Sequence, residues 1–150
     1  MDCIKNILPL FQILGLIATC IGIFIAAYTF YENSKIKRGE WLTKLFEKFY
    51  ENKTFGDIRR ELDYGRIESY LELNNISNAE NEKHQEDFIN FLNFFELISV
   101  LVKKDILDNA DIKDMFEYYI KSIAKNDFIK KEFITKYGFE NFENLLKKYE

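Results

Sequence analysis

The chain has 150 residues, 47% hydrophobic and 17% aromatic, with one Pro and six Gly, a composition that excludes disorder and favours one folded body with an appended segment. Its formal net charge of −4, from 21 basic and 25 acidic residues, supplies no basic field, so no nucleic-acid partner is expected. Cys3 and Cys20 are the two cysteines; on a helix they stand about 25 Å apart, too far for a disulfide, and the rest of the chain holds no thiolate for a metal cluster.

Ile7–Tyr31 is a run of 25 residues without a charge. A membrane-crossing helix needs roughly 20 apolar residues, so the run is long enough to span with some tilt. A cleavable leader is usually about 7 to 15 apolar residues long and ends in a small-x-small site, and here Ile25 occupies the place before Ala27 that such a site needs. A buried core helix is the third alternative, but this run is apolar all round whereas the later helices are amphipathic. The expectation is a transmembrane helix over residues 7–31, with the lipid bilayer as partner.

Charge sets its orientation. Lys5 precedes the run, whereas Lys35, Lys37, Arg38, Lys44 and Lys48 follow it, so the N-terminus is expected outside and the body on the cytoplasmic side. Tyr28, Phe30 and Tyr31 fit the inner aromatic belt, and Pro9 fits a first helical turn. Ala18, Gly22 and Ala26 recur every four residues on one face, extended by Gly15 and Thr19, and that face meets either lipid or another helix. Lys35, Lys37 and Arg38 form a juxtamembrane basic group that either sets topology or holds anionic lipid heads.

Residues 32–53 read as an amphipathic continuation of the span, bent near Gly39, with Leu42, Leu45, Phe46 and Phe49 on one face. Residues 54–150 read as a helical bundle, so the predicted fold is all-α: one membrane helix and about five bundle helices. Thr54 and Asp57 resemble a capping box opening a short helix, Gly65 turns it, and "RIESYLEL" continues as another. The polar stretch 74–87 reads as an exposed connector, or as a helix start capped by Ser77 and Glu80. Phe88–Lys104 is apolar around nearly its whole circumference, as in a central bundle helix. Ile112, Met115, Phe116, Tyr119, Ile120 and Ile123 mark the clearest amphipathic helix. Asn126 or Asp127 caps the next, which stops at Gly138, and Asn141 caps a last helix. No stretch alternates as a strand would.

His84 lies in the polar stretch with no nucleophile motif around it, which suits a solvated histidine. Asp105, Asp108, Asp111 and Asp114 lack the alternate spacing, glycine and closing glutamate of a calcium loop and suit helix starts instead. Glu96 sits among apolar residues and needs a partner if buried; Arg59 and Arg60 are the candidates for a structural ion pair. No P-loop, dinucleotide motif, metalloprotease helix, nucleophile elbow or zinc spacing occurs, so no catalytic residue, cofactor or metal is predicted.

The stretches "WLTKLFEKFY", "IRREL" and "FLNFFE" carry a resemblance. They are similar to a "W/F-L-x-x-L-F-x-x-F-Y" helix, an "I-R-x-x-L" segment and an "F-L-N-x-F-E" helix in a bacterial family of unassigned function. Its members have one N-terminal span and a short helical domain, and the resemblance covers roughly residues 1–137. It implies the fold but assigns no chemistry. Some small membrane-anchored helical proteins of bacteria serve defence or conflict systems, a class-level analogy.

The expected function is therefore a membrane-anchored, non-enzymatic interaction or sensing module with a protein partner or self-association. The alternative is an effector whose span oligomerises to perturb the bilayer. An enzyme acting on lipid through Glu96 or the Asp105–Asp114 acids is the lesser reading.

Overall fold

The computed structural model describes the backbone of residues 2–72 and 78–149, and the side chains of residues 13–72 and 79–149. The described residues form helices and turns, with no strand among them. They fall into two units, Met1–Trp41 and Leu42–Glu150.

The first unit is helical throughout its described length. It belongs to α1, Asp2–Tyr50, whose helical assignment continues unbroken through Gly39. Mean hydropathy reaches 2.2 in its apolar stretch and none of that stretch is buried. Leu16, Phe24 and Phe30 are 69%, 76% and 76% exposed. A core helix would be covered by its own chain, so the buried-core alternative is set aside; α1 is long and apolar enough to cross a membrane.

The threonine hydroxyls inside this apolar run stay on their own helix. Thr19 donates to the Gly15 carbonyl at 2.9 Å and Thr29 to the Ile25 carbonyl at 2.8 Å. Such internal bonds satisfy these two threonine hydroxyls without water, which suits a lipid environment.

The second unit begins with the last turns of α1 and continues through α2 (Lys53–Asp63), α3 (Ile67–Leu71), α4 (Asn78–Lys103) and α5 (Asn109–Ala124). It ends with α6 (Asp127–Ile129), a π-helical segment (Lys130–Thr135) and α7 (Glu140–Leu146). Helix α4 is the centre, with α2, α3 and α7 packed on it, while α5 lies against α2 and α7. Its Phe88, Phe91, Leu92, Phe94, Phe95, Ile98 and Leu101 are all buried, as the apolar circumference of this segment predicts.

Phe49, in the last turn of α1, is fully buried. Its ring centroid lies 5.4 Å from Phe94, 5.1 Å from Phe116, 5.2 Å from Tyr119 and 5.8 Å from both Phe91 and Phe95. Most of these pairs are edge-on or tilted, the arrangements that ring quadrupoles favour. Most of the phenylalanine excess of the sequence is thus internal.

Three helix ends use a left-handed residue to turn the chain. At Gly65 (φ 65°), Gly65 N–H donates to Leu62 and Arg66 N–H to Glu61. At Gly138 (φ 71°), Phe139 N–H returns to Ile134. At Asp105 (φ 55°), Asp105 N–H donates to Val102 and Ile106 N–H to Leu101. These are Schellman-type closures, and glycine is the residue for which the left-handed conformation is free of strain. Asp105 adopts it at a cost that glycine would not incur.

Several expected boundaries move. Helix α2 is capped by Asn52, whose side chain accepts from Phe55 N–H at 3.1 Å, two residues before the expected Thr54. The polar stretch is helical from Asn78 onward, as the first turns of α4; Ser77 lies outside the described residues. Asn126 caps α6, accepting from Ile129 N–H at 2.9 Å. The helix that follows it widens into a π-helix before stopping at Gly138, a change of pitch that no periodicity in this sequence announces.

Candidate functional site

Helix α7 has seven residues and begins after Phe139, whose side chain cannot accept a hydrogen bond. Its first amides therefore need an acceptor from elsewhere. Glu96, on the middle of α4, supplies it. One carboxylate oxygen accepts from Asn141 Nδ2 at 2.6 Å and from Asn141 N–H at 3.3 Å; the other accepts from Phe142 N–H at 2.7 Å. A carboxylate at a helix N-terminus also meets the positive end of the helix dipole. Glu96 thus caps α7 across 45 residues of sequence.

The expected pairing of Glu96 with Arg59 or Arg60 is corrected here. The physical reason is that Glu96 is half-buried with its needs met by three N–H groups. Arg59 instead closes the end of α1. Its guanidinium donates to the Phe49 carbonyl and to the Tyr50 carbonyl, the latter at 3.3 Å, and lies 4.8 Å from the Phe49 ring centroid. A cation on the last carbonyls of a helix meets the negative end of its dipole. Arg60 stays at the surface, bonded to Asp57 at 3.0 Å and near Glu61 at 3.6 Å. Asn141, expected to cap α7 by its own side chain, is one residue inside that helix and acts as a donor.

The network continues outward, because Lys103 Nζ donates to Asn141 Oδ1 at 3.0 Å. The chain Glu96–Asn141–Lys103 therefore ties the C-terminal half of α4 to the start of α7. Beside it opens a groove of about 410 Å³ lined by Ser99, Val102, Lys103, Asp105, Asn109, Asn141, Asn144, Leu145 and Lys148. Its size falls in the range of small-molecule sites, roughly 300–1,000 Å³. A second hollow of about 210 Å³ lies at the π-helical segment, with Leu71, Gln85, Phe133 and Tyr137 among its walls.

The other sequence-predicted residues do not converge on this groove, apart from Asp105. Asp108 and Asp111 form a reciprocal capping box at the start of α5, at 3.0 and 3.2 Å, as the capping reading holds. His84 is half-buried rather than solvated: its ring stacks on Tyr70 with centroids 4.2 Å apart. Burial, and then the nearby Asp87 charge, raises the Tyr70 hydroxyl above its ordinary value, and burial followed by Asp63 does the same to Tyr119. Both phenols therefore stay protonated at neutral pH.

In the first unit Ala18, Gly22 and Ala26 are exposed, and a methyl group built at Gly15 or Gly22 would meet nothing within 4 Å. Lys35 pairs with Glu32 at 3.3 Å and sits 4.3 Å from the Tyr31 ring centroid, Lys37 is exposed, and Arg38 is half-buried. Cys20 is exposed with a free thiol, and the Cys3 side chain lies outside the described residues.

No curated protein and no solved structure matches the chain. A family model does match, over residues 16–149, beginning inside the apolar run and extending past the expected residue 137 to include α7. The chain belongs to the family described as Domain of unknown function (DUF4760).

Proposed function

We propose that this chain is a membrane-anchored, non-enzymatic interaction or sensing module, held by residues 7–31 with its helical body at the cytoplasmic face of a bacterial membrane. The uncovered apolar helix carries the reading: a stretch of mean hydropathy 2.2 with none of its surface buried needs an apolar surrounding that the chain itself does not supply. The family match supports it further, since the domain definition includes residues 16–31 of that run together with the body. Orientation rests on Lys35, Lys37, Arg38, Lys44 and Lys48 against Lys5.

The polar groups of the body favour a binding role. Glu96, Arg59, Asp108, Asp111 and Asn126 are each engaged in closing a helix end, so their chemistry holds the bundle together. Alkaline carbonate washing of membranes from cells expressing the full chain tests the anchor. The chain should stay in the pellet, and release into the supernatant would contradict it.

A second reading, an effector that self-associates through Ala18, Gly22 and Ala26, is favoured by one observation. Among the described residues nothing approaches a Cβ at Gly15 or Gly22, where the space is open, and glycine inside a helix costs roughly 1 kcal/mol relative to alanine. Gly22→Leu should then abolish crosslinked oligomers in membranes; unchanged crosslinking would remove this reading.

A further inference from the structure

The groove between the C-terminal end of α4, the start of α5 and α7 carries two ammonium groups, Lys103 and Lys148, against one carboxylate, Asp105, with the side-chain amides of Asn109, Asn141 and Asn144 between them. Glu96 is not among the residues that line this groove, and its carboxylate faces the N–H groups of Asn141 and Phe142. Lys103 is held by a neutral acceptor, Asn141 Oδ1, rather than by an acid. Lys148 is exposed and has no acidic partner among the described residues. Two lysines and a set of amide donors suit a tetrahedral oxyanion. The lining holds no arginine fork, so the recognition is that of point charges and single N–H donors.

We propose that this groove binds a small phosphate-bearing molecule. Lys103 and Lys148 hold the phosphate, the side-chain amides of Asn109 and Asn144 donate to its oxygens, and Asp105 accepts from a hydroxyl or amine elsewhere on the same ligand. Engaging Lys103 draws on the same side chain that supports Asn141 against Glu96, so ligand binding and the seating of α7 share one residue. The inference rests on the sensing reading for its purpose and supplies what is sensed. Binding itself needs only the second unit. Absence of binding in a chain that remains in the membrane would therefore overturn the groove, whereas release from the membrane with binding intact would overturn only the anchor.

The full chain in phosphatidylcholine nanodiscs, titrated with inorganic phosphate at constant ionic strength, tests it through the amide resonances of Asn109, Asn141 and Asn144. Saturable shifts are expected in the millimolar range. Lys148→Ala should weaken binding about two- to fivefold, the effect of one exposed charge contact. Asp105→Asn, which keeps a residue that tolerates the left-handed turn, should tighten inorganic phosphate by removing a like charge. A parallel arm replaces phosphatidylcholine with phosphatidylglycerol and adds no phosphate. Shifts of the same amides there identify a lipid headgroup as the source, and shifts confined to the first arm identify a soluble ligand. No saturable shift in either arm, or shifts unchanged by both substitutions, overturns the proposal.

Discussion

Glu96→Ala is the substitution with the largest consequence for the body outside the apolar core. It removes the acceptor for two backbone amides and one side-chain amide, at 2.7, 3.3 and 2.6 Å. The two short contacts are charge-assisted, and each such bond is worth roughly 1.5–3 kcal/mol when its partner is left buried and unmet. Glu96 is half-buried, so water recovers part of this and a net loss of about 2–4 kcal/mol is expected. A helix of seven residues has no stability of its own. The loss should therefore fall first on α7 and lower the melting temperature of the body by about 10–20 °C. Hydrogen exchange on the full chain in detergent reads the local effect: protection of Asn141–Leu146 should drop before that of α4. Glu96→Gln, which keeps one acceptor oxygen, should fall between the two. A change under about 0.5 kcal/mol, the range of ordinary surface substitutions, with α7 protection unchanged, would refute the cap.

Arg59→Ala should cost about 1–2 kcal/mol, because the Phe49 and Tyr50 carbonyls lose their donor and two ring faces lose a cation; urea unfolding measures it. Phe49→Ala should cost about 3–5 kcal/mol, since the ring is fully buried among other aromatics. Asp105→Gly should stabilise by about 0.5–1 kcal/mol through relief of the φ 55° conformation, and any destabilisation read by the same unfolding curve would contradict the Schellman assignment. Burial raises the phenols of Tyr70, Tyr119 and Tyr149 above 10.0 in the folded chain. Their contribution is fully present below that pH and is lost as pH rises through the raised values. Thermal melts between about pH 8 and about pH 11.5 should show this fall, reduced in Tyr70→Phe, and a flat profile would contradict it.

The helices of the body were legible because their apolar periodicity is strong. Ile112, Phe116, Ile120 and Ile123 form the buried stripe of α5, and the closely spaced phenylalanines of α4 mark it as the central helix. The left-handed residue itself was legible at Gly65 and Gly138, where glycine announces it; the run 104–111 reads as a turn too, but aspartate does not mark Asp105 as its left-handed residue. The polar first turns of α4 left two readings open, connector or helix start, because a charged surface face and a connector have the same composition until packing decides between them. The partners of Glu96 and Arg59 were out of reach for a related reason. An acid among apolar residues says that it needs partners, yet helix ends offer them as readily as side chains do. Phe139 at the start of α7, where a Ser, Thr, Asp or Asn is expected, was the available sign that a cap comes from elsewhere. Asn109, Asn144 and Lys148 had no sequence signal at all, since only the packing of α4, α5 and α7 brings them to one groove.

The central claim is that the apolar part of α1 crosses a membrane and leaves the helical body on the cytoplasmic side. Protease treatment of spheroplasts expressing the full chain with a C-terminal tag tests it most directly. The account predicts that the tag survives in intact spheroplasts and is digested once they are lysed, with the chain pelleting with membranes throughout. Digestion in intact spheroplasts, or a tagged chain recovered in the soluble fraction after lysis, would contradict it.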